Sequence, residues 1–530
     1  MLRSTFLGYR TATSALKVNQ NMLDVVGQNI SNINTEGYTR QRLDINSVSF
    51  NTRNIKIGTN GVIIGQGVEA QGVSQFRDSF LDLRYRMEAS KTGNEYVQLE
   101  ALSDLESIFD EISMDGLDAQ FSDFVEQLHA LTSSPSDPVL EGVVRTSAQM
   151  LTQMFNDYSD QIDTIRNQQL SYLQDGAMVK VNQLLDNISK LNKQIKEDNI
   201  SGNPALELND ERNMLIDELS NYLDIEVVLT PQSIGGNKSI DLLSIKLRDT
   251  SPAVELVNDT AAVELEALES GKDVEIFLKT NLDGTVNDIA DTDKYLTEKI
   301  NKGQIGGYIK FLNGKGEFAE GTDPAYEAEE KGVQYYQNML DTLANQFASV
   351  MNEANKVPNT FDADGNVILW DDKPLFEARG GGDITAGNIK IHESWANATG
   401  SYITNTIKQE TGDSTGATDN ILRMISKFQS GEGSLDFIGG GTTLFNGTFQ
   451  EFLSYTTTRL NLQVDDVGTS YDTYSGSQYQ IEYARSSMSS VDLNEEGVNL
   501  LQYSKSYNAA ARLMTTLDEM LDTLINRMGV

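Results

Sequence analysis

The chain has 530 residues, of which 39% are hydrophobic, so it has room for roughly two to four domains with cores of their own and is not disordered overall. Its 78 acidic and 41 basic residues leave a net charge of -37, which would repel nucleic acid and anionic membranes, and we predict neither as a partner. The absence of cysteine excludes disulfides, thiolate catalysis and cysteine-based metal sites. No stretch approaches the ~18 apolar residues of a membrane span, and no continuous apolar run follows Arg3 and Arg10, so no cleaved signal peptide is predicted either.

The first predicted element is a long helix with a heptad pattern. Its positions alternate at spacings of four and three, and a single asparagine interrupts them in the way that fixes the register of a coiled coil. They are Ala12, Leu16, Asn19, Leu23, Val26, Ile30 and Ile33. Gly37 is placed to end this helix, and short β-type runs over residues 43–73 then predict hairpins.

Long amphipathic helices are predicted next. Apolar residues at helical spacing cover residues 103–131, and Pro135 and Pro138 then mark a loop and a new helix start. From Val144 to Ile195 the alternation of three and four continues, with a slip near Gly176 that indicates a kink or stagger in a bundle helix.

The composition changes in the centre of the chain. Strand-type runs separated by Asp, Asn and Gly turns concentrate between residues 225 and 407, and helical periodicity is sustained only near residues 333–352. We therefore predict a β-rich domain inserted between helical segments.

The last predicted helix, residues 500–528, carries a second heptad pattern. Polar residues fill the remaining positions, so the helix needs a partner for its apolar stripe, and the first helix offers a matching one. We call the predicted contact residues of both helices the assembly seam: Leu16, Leu23, Val26, Ile30, Leu500, Tyr507, Met514, Leu517, Leu521 and Leu524. A two-helix stem inside a monomer is the alternative to self-assembly, which we favour because both patterns are terminal.

Residues 29–41 resemble the amino-terminal signature of the bacterial flagellar axial proteins, the rod, hook and hook-associated families, in which a helix ends in an Asn-rich turn. Residues 38–41 are most similar to the hook-associated protein 1 family. Further similar stretches are residues 65–82, 208–219 around Arg212, 447–453, 490–500 and 518–524. The signature residues are Asn29, Asn32, Asn34, Thr35, Gly37, Tyr38 and Arg40.

The resemblance implies a structural, non-enzymatic subunit without a cofactor, one that joins the flagellar hook to the filament as an adaptor ring. The expected fold is multidomain α+β: a terminal coiled-coil domain (1–75 with 488–530), a helical middle domain (76–230 with 408–487) and a β-rich outer domain (231–407). Another axial subunit (hook or distal rod) and a secreted enzyme or oligomeric adhesin are the alternatives.

The resemblance also implies partners and a location. The partners are copies of the chain in a ring, the hook protein, a second junction protein of the hook-associated protein 3 type, and an export chaperone on the C-terminal helix. The expected location is the extracellular flagellum, reached by the flagellar type III route without a cleaved signal peptide.

Two motifs suggest metal binding but lack essential ligands. Residues 392–396 begin like a zinc-protease helix, yet Ala396 occupies the second ligand position. Residues 362–366 begin like a calcium loop, yet Val367 and Lys373 stand where glycine and a bidentate glutamate are needed, so an Asx-stabilised turn is the better interpretation.

The remaining candidates for chemistry are weaker. His129 is predicted on a helix surface or at the edge of the core. The glycine runs 380–382 and 439–441 lack the residues of a phosphate-binding loop and are interpreted as flexible joints. We therefore predict no catalytic residue and no metal ligand.

Overall fold

A computed structural model describes residues 5–48, 67–112, 116–235, 238–321, 323–362, 367–408, 416–429 and 435–523. Its α-helices are α1 (Thr5–Ser31), α2 (Ser79–Glu111), α3 (Leu117–Leu131), α4 (Pro138–Ser171), α5 (Val179–Ser201), α6 (Leu206–Tyr222), α7 (Gly303–Asn313), α8 (Ala325–Glu329), α9 (Val333–Ala354), α10 (Glu393–Ala396), α11 (Asp419–Ser426), α12 (Phe449–Ser489) and α13 (Leu493–Asp522). Its strands are β1 (Gln41–Ser47), β2 (Val68–Gln75), β3 (Ile225–Gly235), β4 (Lys238–Leu247), β5 (Glu255–Asn258), β6 (Ala261–Ala262), β7 (Glu264–Ser270), β8 (Asp273–Thr280), β9 (Val357–Phe361), β10 (Val367–Asp371), β11 (Phe376–Ala378), β12 (Ile389–Ile391), β13 (Leu435–Gly439) and β14 (Thr442–Gly447).

The first and last helices of the chain, α1 and α13, pack against each other. Strands β1 and β2 form an antiparallel hairpin that also contacts α1. The pairing of the terminal helices that their heptads predict is therefore present within one chain. None of the helices in the described ranges is long and apolar enough to cross a bilayer.

The middle of the molecule is built from long helices. Helix α2 packs along α12, α6 and α7, while α3 packs on α4 and α5 on α6. Asp78 begins α2 by accepting a hydrogen bond from the amide of Phe80, and Thr448 begins α12 in a capping box with Glu451. The slip predicted near Gly176 is a π-helical segment, Tyr172–Met178, that joins α4 to α5.

An aromatic cluster forms the centre of the helical core. The ring of Phe347 in α9 lies 5.6 Å from that of Phe121 in α3 and 5.8 Å from that of Phe449 in α12, and none of the three side chains is exposed. Edge-to-face contacts of this kind add to the burial energy of the rings. Helices from three distant parts of the sequence are therefore held by one core.

The strands of the central segment form small antiparallel sheets. Strands β3 to β6 make a four-stranded sheet, and β7–β8, β9–β10 and β11–β12 make separate pairs. The multidomain α+β fold class is confirmed. The core, however, does not follow the predicted limits of the outer domain, because α7 and α9 lie within 231–407 and contribute to the same core as α2 and α4.

Helix α7 was not expected from the sequence because three of its residues are glycines. Two of them have a packing role: a side chain at Gly307 would lie 2.6 Å from the carbonyl oxygen of Asn94 in α2, and one at Gly306 would lie 3.1 Å from the amide of the same Asn94. The glycines thus allow α7 to approach α2 closely, although their helix propensity is low.

Candidate functional site

The terminal helices run antiparallel. Gly8 near the start of α1 packs against Leu517 near the end of α13, whereas Arg40, just beyond α1, pairs with Glu495 and Glu496 at the start of α13. The two ends of the chain therefore form a long two-helix arm whose base is the signature segment.

This arm buries only part of the assembly seam. Val26 is buried, whereas Leu500 and Tyr507 remain 40% and 36% exposed. The other seam residues in the described ranges are half-buried, namely Leu16, Leu23, Ile30, Met514, Leu517 and Leu521. Leu524 lies outside the described residues.

Much of the apolar surface of α13 also lies outside the seam. The exposed apolar residues of α13 outside the seam, with exposed fractions from 48% to 62%, are Leu493, Val498, Leu501, Leu513 and Met520. A helix that exposes this many apolar side chains is a candidate contact surface. One partner helix cannot cover it, since each helix of a pair shields only one face of the other.

Asn29 organises the signature segment at the base of the arm. It is 1% exposed; its side-chain amide donates to the carbonyl oxygen of Gln41 at 2.9 Å, and its Oδ1 accepts from the amide of Gln41 at 3.0 Å. The hydroxyl of Tyr38 donates to the same Oδ1 at 3.0 Å. One side chain thus closes the loop between α1 and β1.

The loop between these anchors is compact. Asn32 donates to the carbonyl of Gln28 and accepts from the hydroxyl of Thr35, while Asn34 is exposed. Gly37 has a left-handed backbone with φ of 74°, and a side chain there would lie 1.9 Å from the sulfur of Met214 in α6. Gly37 is therefore required for the left-handed turn, and it lies against the flexible side chain of Met214.

Polar contacts from this loop and from the end of β2 converge on α6. The amide of Thr39 donates to Asp210 Oδ2 at 2.9 Å, and the side chain of Gln75 donates to the same oxygen at 2.9 Å. Gln41 donates to Glu207 Oε1 at 3.0 Å. Burial raises the pKa of Asp210 in spite of these donors. The site thus fastens the terminal arm to the helix that carries the Arg212 motif.

Arg40 fastens the same loop to α13. Its guanidinium lies 2.9 Å from Glu495 and 2.7 Å from Glu496, and Glu496 is 1% exposed. The Arg40 amide donates to the carbonyl of Ser489 at the end of α12. A charge-assisted contact to a buried carboxylate is directional, so Arg40 sets the position of the first turn of α13.

A second charged group joins α2, α6 and α12 beside this loop. Asp217 of α6 accepts from Arg86 at 2.6 Å and from Arg485 at 2.7 Å, and Arg77 pairs with Asp82 at 2.6 Å. We call these residues the junction cluster: Arg77, Asp82, Arg86, Asp217 and Arg485. All of them except Arg86 line a cavity of ≈ 210 Å³ that also touches the signature loop.

Arg212 lies beside the junction cluster without a carboxylate partner among the described residues. Its guanidinium donates to Asn192 at 2.9 Å and to Asn209 at 2.8 Å. Burial, reinforced by Arg77 and Arg86, lowers the pKa of Arg212 to about 10. Its contacts to α5 and within α6 give it a packing role.

Comparisons with known proteins match the same parts of the chain. A family model for the flagellar hook-associated protein FlgK helical domain matches residues 102–367. The hook-associated protein 1 of Bacillus subtilis is 30% identical, with 100% of this chain and 99% of that protein covered. The chain belongs to the flagellar hook-associated protein 1 family.

Further matches agree with this hook-associated protein 1 membership. The hook-associated protein 1 of Escherichia coli is 24% identical over 97% of this chain and 98% of that protein. The structure of the flagellar hook junction protein FlgK from Burkholderia pseudomallei shares the fold, with a TM-score of 0.54 at 14% identity over 76% of this chain and 100% of that one. The resemblance to the family is confirmed.

Two shorter family models cover the terminal arm. The flagella basal body rod protein model matches residues 10–39, and the flagellar basal body rod FlgEFG protein C-terminal model matches residues 485–528. The first covers α1 from Arg10 onward with most of the signature loop, and the second begins at Arg485. Both ends of the site thus carry sequence shared with flagellar axial proteins, and the chain is a flagellar structural protein.

The histidines and the metal-like motifs that the sequence analysis considered can now be placed in the fold. His129 is exposed on α3. His392 begins α10, where its Nδ1 accepts from the amide of Ser394 at 3.1 Å. The described residues contain no group of three or more potential metal ligands. The loop that resembles a calcium site lies between β9 and β10, and its residues 363–366 are outside the described ranges.

The glycine runs are turns of hairpins. Gly380, Gly381 and Gly382 all have left-handed backbones between β11 and β12. In the turn between β13 and β14, a side chain at Gly440 would lie 1.8 Å from the carbonyl oxygen of Glu317. The prediction of a flexible joint is therefore corrected at 439–441, where the turn packs against another part of the chain.

The junction cluster was missed as a site by sequence reasoning. Asp82 and Arg86 are four residues apart in the sequence, about one turn of a helix, which was a weak signal. Arg485 offered none, because its partner Asp217 is 268 residues away in the sequence. Only the packing of α12 and α6 against α2 brings them together.

Proposed function

We propose that the protein is the structural subunit that joins the flagellar hook to the filament, where copies of it form an adaptor ring. The observation that carries this proposal is the terminal arm: α1 and α13 are paired and fixed at their base, yet leave apolar residues of α13 in contact with solvent. Such a surface is stable in an assembly in which neighbouring arms cover it.

The mechanism is a joint between two lattices. The arm carries sequence shared with other axial proteins and would supply the contacts between copies, and the aromatic core holds the middle helices together. The signature loop and the junction cluster set the angle between arm and core. One face of the ring would bind the hook protein, and the other a second junction protein of the hook-associated protein 3 type.

Family membership gives an extracellular location in the flagellum. To reach it, we propose export through the flagellar type III route without a cleaved signal peptide, with a chaperone bound to the C-terminal helix. The exposed apolar residues of α13 support this, because a helix that waits for assembly needs cover before export.

A hook or distal rod subunit is the second candidate within the same superfamily, and a secreted enzyme or adhesin is a candidate outside it. The full-length similarity to hook-associated protein 1 favours the junction over the hook and rod. The axial-protein models at both ends of the chain favour it over an adhesin.

Localisation on sheared flagella tests the proposal. Antibody against residues of the β-rich segment should label one band at the base of each filament, and a deletion strain should release filament protein into the medium while retaining hooks. Label along the whole filament, or on the cell surface of a strain without hooks, would contradict it.

A further inference from the structure

A further charged site lies away from both the junction cluster and the contact between α1 and α13. A cleft of ≈ 500 Å³ opens between α4 and the β11–β12 hairpin. Three cationic residues line it, Arg145 from α4, Arg379 after β11 and Lys390 in β12, together with one acidic residue, Glu393 of α10. Cationic residues are a minority in this chain, with 41 against 78 acidic ones, so three of them around one cleft are notable.

The two arginines are held in place by neutral groups. Arg145 Nη1 donates to the carbonyl oxygens of Ala396 and Ala398, both at 3.1 Å. Arg379 Nη2 donates to Asn156 Oδ1 at 2.8 Å. Carbonyl and amide oxygens orient a guanidinium group but leave its charge uncompensated.

Arg145 and Arg379 differ in their ion pairing from the arginines at the base of the arm. Arg40 and Arg485 each contact two or more carboxylates within 3.4 Å. Across the described ranges, neither Arg145 nor Arg379 has a carboxylate within ion-pair distance, although the chain is rich in acidic residues. Lys390 pairs with Glu377 at 3.1 Å and so is already partly compensated.

The chemistry of the cleft defines its ligand. A guanidinium group at an open cleft can bind a carboxylate with two parallel hydrogen bonds, which lysine cannot reproduce. Arg379 is exposed at the cleft, whereas the Nε of Arg145 is buried. Gln149 and Gln153 of α4 extend the lining with neutral donors and acceptors. A cleft of this size admits several residues of an extended acidic chain.

We propose that this cleft binds an acidic surface segment of a neighbouring copy of the chain in the ring. This inference rests on the proposed ring. Copies that each carry a charge of -37 repel one another when they are packed side by side, and contacts that place uncompensated guanidinium groups against carboxylates offset that repulsion. The cleft thus supplies a lateral contact that is separate from the terminal arm.

Site-specific photo-crosslinking in assembled flagella tests the inference. A photoreactive phenylalanine derivative replaces Gln153, which is exposed at the cleft. The same probe at Leu501 on α13, 59% exposed, reports on contacts of the arm, and the probe at Val286, 74% exposed, serves as a surface control. Irradiation should yield a dimer of the chain from Gln153, with the crosslinked peptide of the second copy rich in Asp and Glu.

The double variant Arg145→Gln/Arg379→Gln should lower the crosslinking yield from Gln153 by about tenfold, and Arg145→Lys/Arg379→Lys should restore it only in part. Arg84→Gln is the matched control, since Arg84 lies on the ring of Phe80 outside the cleft and should leave the yield unchanged. Circular dichroism of each purified variant confirms that it is folded.

Each other outcome overturns the inference in a recognisable way. Dimers from Leu501 without dimers from Gln153, or adducts of Gln153 with a different protein, would reject the cleft as a contact between copies and leave the proposed ring intact. An unchanged yield in the glutamine double variant would reject the role of the arginines. The absence of dimers from both positions would reject the ring itself.

Discussion

The terminal arm and the aromatic core are stabilised in different ways. In the core, residues from α3, α9 and α12 such as Phe121, Phe347 and Phe449 have no exposed surface. In the arm, α13 buries only Glu496 and Ala510 among its described side chains. Both regions are helical and have clear apolar periodicity. Periodicity alone therefore does not tell whether the apolar face of a helix is buried by other helices of the same chain.

The difference follows from the number of neighbours. A core helix such as α2 packs against several others, whereas α13 packs along α1 alone for most of its length. Apolar surface that is removed from water contributes ~25 cal/mol per Å², so the arm gains much less per residue than the core. The arm is therefore the region that assembly can stabilise further, and the core is the region that must be stable before it.

The largest effect on the isolated chain is expected in the core. Phe347→Ala should lower the free energy of unfolding of the helical region by about 3 to 5 kcal/mol, because it leaves a cavity among fully buried rings. Tyr479→Ala, at a position that is 73% exposed, is the matched control and should change it by less than about 0.5 kcal/mol. Urea unfolding followed by circular dichroism measures both. Equal effects of the two substitutions would remove the distinction between core and surface aromatics.

The second-largest loss of stability is expected in the junction cluster. Asp217→Ala leaves Arg86 and Arg485 without their shared carboxylate and should cost about 2 to 3 kcal/mol, since buried charges lose their partner while Arg485 retains some access to water. Asp186→Ala removes an ion pair with Lys190 in which both side chains are more than half exposed, and should cost less than about 1 kcal/mol. Hydrogen exchange should increase in α6 and at the end of α12 in the first variant only. Unchanged exchange there would show that the cluster does not hold these helices together.

The signature loop should have a smaller effect. Asn29→Ala removes the contacts that close the loop and leaves the buried amide of Gln41 unpaired, at a cost of about 1 to 3 kcal/mol. Asn34→Ala changes another signature residue that is exposed, and should cost less than about 0.5 kcal/mol. The melting temperature measures both, and motility shows whether the loosened arm still assembles. A larger loss of stability from Asn34→Ala than from Asn29→Ala would mean that the loop is organised differently.

The smallest effect on the single chain is expected in the assembly seam. Leu517 is half-buried against α1, so Leu517→Asp should cost the isolated protein less than about 2 kcal/mol and leave it folded. In a ring the penalty recurs in every subunit, and filament protein should appear in the medium instead of on the cell. Thr515→Asp, at an exposed position of the same helix, should leave filaments intact. Normal filaments from Leu517→Asp would support a self-sufficient two-helix stem.

The position of α9 in the helical core changes the expected effect of a deletion of the central segment. The sequence pattern predicted an inserted β-rich domain over residues 231–407, and a domain of that kind would be expected to tolerate removal. Because α9 lies inside these limits and carries Tyr335, Leu340 and Phe347 into the core, removal of the whole segment would open it. The exposed β9–β10 hairpin is a better site for a tolerated deletion, since its Ile368 and Leu369 are 66% and 54% exposed.

The sequence by itself determined the features that depend on neighbouring residues: the heptads of both terminal helices, the turn at Gly37, the long helices of the middle region and the short strands between them. Local periodicity and turn chemistry suffice for these, because their physical cause lies within a few residues. Tertiary structure alone decided how much of the assembly seam stays exposed, that α7 and α9 join the core, and that Asp217 is shared by Arg86 and Arg485. These depend on residues that meet only when the chain is folded, such as Arg40 and Glu496, which are 456 positions apart, and no local pattern encodes that meeting.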